Sequence, residues 1–103
     1  VSNDKEENSL PSSFYVKQNY PNPFNPNTIL QYYLPKELFV KIIIYDILGN
    51  KVNNLLKANQ SSGLKFIQWD AINNQGQPVS AGIYLYSIEA GNFKEIKKMI
   101  LLK

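Results

Sequence analysis

A chain of 103 residues has room for one small core. A 44% hydrophobic and 18% charged composition is that of a globular domain rather than a disordered one. Cys and His are both absent, which removes disulfides, thiolate chemistry and the commonest general base and metal ligand, so neither an enzyme nor a bound cofactor or metal is expected. The formal charge of +3 comes from eleven Lys and no Arg against eight acids. Without the bidentate Arg fork, a nucleic-acid partner is not expected either. No segment approaches the roughly 20 apolar residues of a membrane span. The opening VSNDKEENS lacks the basic-then-apolar order of a secretory signal.

Residues 1–13 are polar and without apolar period, and read as a flexible linker from an upstream passenger domain; residues 14–103 read as one β domain. From Phe14 onward the period is two. A short strand is expected at Tyr15 to Gln18. In Thr28 to Leu34, Leu30, Tyr32 and Leu34 share a face, and in Phe39 to Asp46 so do Val40, Ile42 and Ile44. Leu48-Gly49-Asn50 turns the chain into Lys51 to Leu56, whose paired Asn residues suit an exposed edge. Leu64 to Trp69 follows, then the polar loop Asn73 to Pro78. Ile83 to Glu89 and Phe93 to Leu102 close the chain as a hairpin across Ala90-Gly91-Asn92. Seven short strands with regular turn signals predict an all-β, seven-stranded immunoglobulin-like, fibronectin III-like antiparallel sandwich. Its core should hold those six residues with Ile67, Trp69, Tyr84, Tyr86 and Ile88.

Pro21, Asn22, Pro23, Phe24, Asn25 and Pro26 form the most unusual stretch. Three prolines make it stiff without a hydrogen-bond ladder. It suits either a rigid recognition surface or a strap over a sheet end with Phe24 in the core. Asp46 and Asp70 each follow an aromatic residue at a strand end; they suit a glycosidase pair if they meet across a sugar, and turn-amide acceptors if they do not. Asp70, Asn73 and Asn74 offer oxygens, but not at the spacing of a calcium loop. Tyr15, Tyr33, Tyr45 and Phe93 could form a sugar-binding platform or serve as core and cross-strand pairs. Lys94, Lys97, Lys98 and Lys103 could meet an acidic partner or protect an edge strand.

The series QNYPNPFNPNTILQYYLP, VKIIIYDILGNKV, Trp69-Asp70, Gly82-Ile83-Tyr84-Leu85-Tyr86 and the terminal Lys98 to Lys103 closely resembles the type A C-terminal sorting domain of the type IX (Por) secretion system. The later part also resembles the Ig-like domain of the flagellar hook-capping protein. The resemblance covers Tyr15 to Lys103. It implies a module that directs a larger passenger through the periplasm and across the outer membrane, so that the protein is secreted or displayed at the cell surface. The partners it implies are the outer-membrane translocon components and the passenger itself. By the same resemblance the recognition residues are the Pro21 to Pro26 segment with Gly82, Tyr84, Lys98, Leu101 and Lys103. The last strand is expected to lie at a sheet edge with one side of its main chain free. An Ig-like accessory module that binds carbohydrate or a cell surface is the alternative. Ala71 stands where the family commonly has Gly.

Overall fold

The computed structural model describes residues 13–102. The expected linker therefore lies almost wholly outside the described residues, as does Lys103. Seven strands follow in chain order: β1 Tyr15–Val16, β2 Thr28–Leu34, β3 Leu38–Asp46, β4 Lys51–Gln60, β5 Gly63–Trp69, β6 Gly82–Ala90 and β7 Phe93–Leu101. They form two antiparallel sheets, one ordered β1-β2-β5 and the other β4-β3-β6-β7. This is the predicted Ig-like sandwich.

Alternation builds the core. The register opposes Val40 to Ala90, Ile42 to Ile88 and Ile44 to Tyr86 across β3 and β6. Leu30, Tyr32 and Leu34 supply the facing layer from β2, and these side chains have no exposed surface. Ten of the eleven predicted core residues are buried; Ile67 is half-buried and packs against them. Trp69 sits at one end, edge-on to Tyr84 at 5.5 Å and tilted against Phe24 at 5.9 Å. Its indole N–H donates to the Ile72 carbonyl at 2.9 Å, so the buried ring leaves no polar atom unpaired.

Two local expectations need correction. Strand β4 runs to Gln60 rather than stopping at Leu56, and its Asn53 is buried, donating to the Ile72 carbonyl. Asn53 can face inward because Val52 and Leu55 have no partner in the ladder, so each is a bulge that reverses the alternation. Ala71 has a φ of 62°, in the left-handed region that glycine occupies without cost, and its methyl group is buried. The Gly that the resemblance leads one to expect at this position would suit that backbone.

Replacing Trp69 by Ala should cost about 3–5 kcal/mol, because the ring and its hydrogen bond leave a cavity at the end of the core. Urea unfolding of the two proteins measures this, and an unchanged midpoint would show that Trp69 contributes no core packing.

Candidate recognition site

The Tyr20–Pro26 segment crosses the end of the sandwich and lies against the last strand. The peptide bonds before Pro21, Pro23 and Pro26 are cis. Phe24 points inward and is only 1% exposed, while Pro21, Asn22, Pro23, Asn25 and Pro26 are exposed. The strap reading of this segment is therefore the structural one, with Phe24 as its anchor. The main chain of Phe24 bonds the terminal segment on both sides: its N–H donates to Ile100 O at 3.0 Å, and its carbonyl accepts from Leu102 N at 2.8 Å. The Asn22 carboxamide oxygen accepts from Ile100 N at 3.0 Å, and the Gln18 side chain donates to Lys98 O at 2.7 Å.

These four bonds correct the expectation that the last strand leaves one side of its main chain free. Alternate residues of an edge strand turn their N–H and C=O groups outward. In β7 the outward carbonyl of Lys98, both groups of Ile100 and the N–H of Leu102 just beyond it are all engaged by Gln18, Asn22 and Phe24. The terminal segment is thus held between β6 on one side and the strap on the other.

Beneath the strap lies a buried polar knot. The Asn19 amide N–H donates to the Tyr86 hydroxyl at 2.9 Å, and that hydroxyl donates to Lys17 O at 3.0 Å. The Asn19 carboxamide donates to Thr28 Oγ1 and to Pro21 O, and Thr28 Oγ1 also donates to Pro21 O at 2.8 Å. Sequence patterning passes over Asn19 and Thr28, because isolated polar residues carry no periodic signal. Their burial becomes legible only once the strap is seen to fold back over them. Beside the strap, Gln18, Tyr20, Ile29, Gln31 and Phe66 line a hollow of about 410 Å³ on the outer face of the three-stranded sheet. Tyr20 and Phe66 are 80% and 61% exposed there.

The other residues implied by the resemblance divide by burial. Tyr84 and Leu101 are in the core, and the Tyr84 hydroxyl donates to Ser80 O at 2.6 Å. Gly82 opens β6 opposite Leu101 with a φ of 151°, a backbone that disfavours any side chain. Lys98 is exposed on the outer face. Lys97 turns to the opposite face from Lys94 and Lys98, as strand alternation requires, and pairs with Glu95 at 3.8 Å. The lysines of the last strand therefore do not form one cluster.

Asp46 accepts from Leu48 N and Asn50 N at 3.0 and 2.9 Å, and the Asn50 amide is the main cause that lowers its pKa. Asp70 differs from the expectation. Its carboxylate accepts from the Gln68 side chain, and Asn73 holds the following turn by accepting from Gln75 N and Gln77 N. Of the aromatic side chains weighed for sugar binding, Tyr15 stacks on Tyr33 at 5.6 Å and Phe93 on Phe14 at 5.3 Å.

The seven strands in two antiparallel sheets define an Ig-like domain, and the family model described as the FlgD Ig-like domain matches residues 27–93. The chain belongs to that family. Among solved structures, dimeric latent PorU from Porphyromonas gingivalis matches with a TM-score of 0.68 and 24% identity, over 93% of this chain and 10% of that one. PorZ, an essential bacterial surface component of the type IX secretion system of the same organism, matches with a TM-score of 0.56 and 18% identity, over 87% of this chain and 11% of that one. This chain thus spans about a tenth of either protein's length, and both likenesses are likenesses of fold. No curated protein matches the sequence.

Burial pushes the Tyr86 phenol up to about 12, with nearby Glu95 adding to the shift. Buried Tyr32, which donates to Gln60, is likewise raised to about 12. An unfolded phenol ionises near 10. Between about pH 10 and 12 the unfolded chain therefore loses these protons while the folded chain keeps them, and stability falls across that window after being insensitive to these groups below it. Tyr86→Phe should lose about 1–3 kcal/mol at neutral pH through the unpaired Asn19 N–H and Lys17 carbonyl, and should show a shallower alkaline decline. Thermal melts between neutral pH and pH 12 check both effects.

Proposed function

We propose that this domain is a non-enzymatic sorting module of the type IX secretion system. It directs a larger passenger from the periplasm across the outer membrane to the cell surface or the medium. The observation that carries this reading is the joining of the strap to the terminal segment. The two pieces of sequence most specific to the resemblance, Tyr20 to Pro26 and Lys98 to Lys103, are far apart in the chain. Gln18, Asn22 and Phe24 bond the two together. The family membership and the likeness of fold to PorU and PorZ support the same reading.

On this reading the translocon recognises a composite surface. Addition of a strand to the Lys98–Leu102 edge is blocked by the strap, so recognition falls to side chains that stand out from it. Tyr20, Asn25, Lys98 and Leu102 are exposed around the joint, and the apolar hollow beside the strap adjoins it through Gln18. Lysine charge supplies attraction and the hollow supplies fit.

Fusion of the domain to an unrelated periplasmic reporter, in a host that has the translocon, tests the proposal. The fused reporter should reach the surface or the medium. Deletion of Lys98 to Lys103 should strand it in the periplasm, and Lys98→Ala with Lys103→Ala should reduce export less. Gln18→Ala with Asn22→Ala releases two of the four ties while leaving Phe24 and Leu101 in the core, and should reduce export with the fold retained by circular dichroism. Normal export by a folded Lys98–Lys103 deletion would remove the basis for the assignment.

The absence of catalysis has its own test. Asp46→Asn and Asp70→Asn should alter stability alone, because Asp46 serves its turn and Asp70 is bonded to Gln68. Assay of the purified chain against a panel of glycoside substrates should give no turnover. A hydrolytic activity abolished by either substitution would show the domain to be an enzyme.

A further inference from the structure

The outer face of the four-stranded sheet has a hollow that the proposed recognition surface does not include. The register turns Lys41, Lys51, Lys57, Lys94 and Lys98 to this face together with one acid, Glu89. Glu89 lies 3.5 Å from Lys94 and 4.0 Å from Lys41. Lys41, Lys51 and Lys57, with Ile43, Asn54 and Leu56, surround a hollow of about 80 Å³.

The two bulges of β4 create this arrangement. In a regular strand Lys51 and Lys57 share a face, but Asn54, three residues from each, falls on the other. Because Val52 and Leu55 are left out of the ladder, Lys51, Asn54 and Lys57 oppose Tyr45, Ile43 and Lys41 in turn, so all three reach the outer face. The seven residues from Lys51 to Lys57 are also drawn in against only five of β3, Lys41 to Tyr45, which brings Lys51 and Lys57 closer together. The loop after β5 fixes the bulged segment. Asn74 accepts from Asn54 N at 2.8 Å and donates its own N–H to Val52 O at 3.1 Å, and the Asn53 side chain donates to Ile72 O. Lys41 and Lys57 are directly opposed across the strands, a like-charge pair that disfavours folding.

We propose that this hollow is a binding site for a tetrahedral oxyanion, a phosphate or sulfate group. Lys51 and Lys57 would be its principal donors, with Lys41 and the Asn54 carboxamide completing the ring. An oxyanion there offsets the Lys41–Lys57 repulsion and accepts charge-assisted hydrogen bonds from compact point charges, which is how lysine binds phosphate. The group can arrive as the free anion or as an ester on a saccharide. Ile43 is only 7% exposed between the lysines, and Leu56 beside it is half-buried.

Amide-resolved NMR titration of the full chain with sodium phosphate and sodium sulfate, against sodium chloride at equal ionic strength, tests the site. Saturable shifts confined to Lys41–Tyr45 and Lys51–Lys57 are expected. Lys51→Gln and Lys57→Gln should each weaken the affinity about tenfold, the loss of one charge-assisted contact. In phosphate-free buffer Lys57→Gln should melt above the parent chain, because the repulsion is gone, and added phosphate should narrow that gap by stabilising the parent. Glucose 6-phosphate binding more tightly than inorganic phosphate would identify the ester as the ligand, and equal affinity would identify the free anion. The proposal is overturned by non-saturable shifts, by shifts of similar size at Lys36 and Lys65, by Gln variants that bind as the parent does, or by a Lys57→Gln protein that melts lower in both buffers.

Discussion

Insertion of Phe24 into the end of the sandwich is the contact on which the rest of the site depends. Its ring meets Trp69, which in turn meets Tyr84, so a residue from an irregular segment completes an aromatic cluster supplied otherwise by β5 and β6. With the ring anchored, the backbone on either side of it is fixed in position to bond Ile100 and Leu102. Stiff proline-rich backbone loses less entropy when ordered than an ordinary loop does. A short strap can for that reason stay closed on one buried side chain and a few hydrogen bonds. The polar knot of Asn19, Thr28 and Tyr86 adds specificity, since Asn19 and Thr28 both donate to the Pro21 carbonyl of the strap.

The two edges of the four-stranded sheet face the same problem and meet it differently. Strand β4 is an edge strand of ten residues, the length and form that invite pairing between molecules. Two bulges break its regularity, and the Ile72–Asn74 loop occupies some of its outward groups. At the opposite edge, β7 is covered near its C-terminal end by the strap. Both edges of the four-stranded sheet are thus covered in part by loops rather than by strands. Where the loops lie, side chains rather than main chain form the accessible surface.

Much of this was legible in the sequence because a period of two is strong evidence for a strand with one buried face. Leu30, Tyr32 and Leu34, then Val40, Ile42 and Ile44, announce both the elements and the core. Alternation also separates Lys97 from Lys94 and Lys98, although grouping them by proximity in the chain hides it. What could not be read is where alternation breaks. Nothing in Lys-Val-Asn-Asn-Leu-Leu-Lys distinguishes the residues that drop out of the ladder from those that stay, because the choice is made by the partner strand and by the Asn74 loop. Hence Asn53 was expected at the surface and is buried. The strap itself was visible as unusual composition, but its bonds to Lys98, Ile100 and Leu102 join residues about eighty positions apart, a separation that local pattern does not encode.

The closed edge sets a condition on any partner of the terminal segment. A free edge strand pairs with many chains, and main-chain hydrogen bonds carry little sequence information, so specificity must come from side-chain pockets. Here the strap takes the main-chain groups first. A partner that leaves the strap in place can read Tyr20, Asn25, Lys98 and Leu102, which come together only in the folded domain. One that pairs with the strand must first displace Phe24, and displacing Phe24 uncovers Trp69 and the end of the core. Either route ties recognition to the state of the sandwich: the first requires the fold to be complete, and the second can proceed only at the cost of opening it.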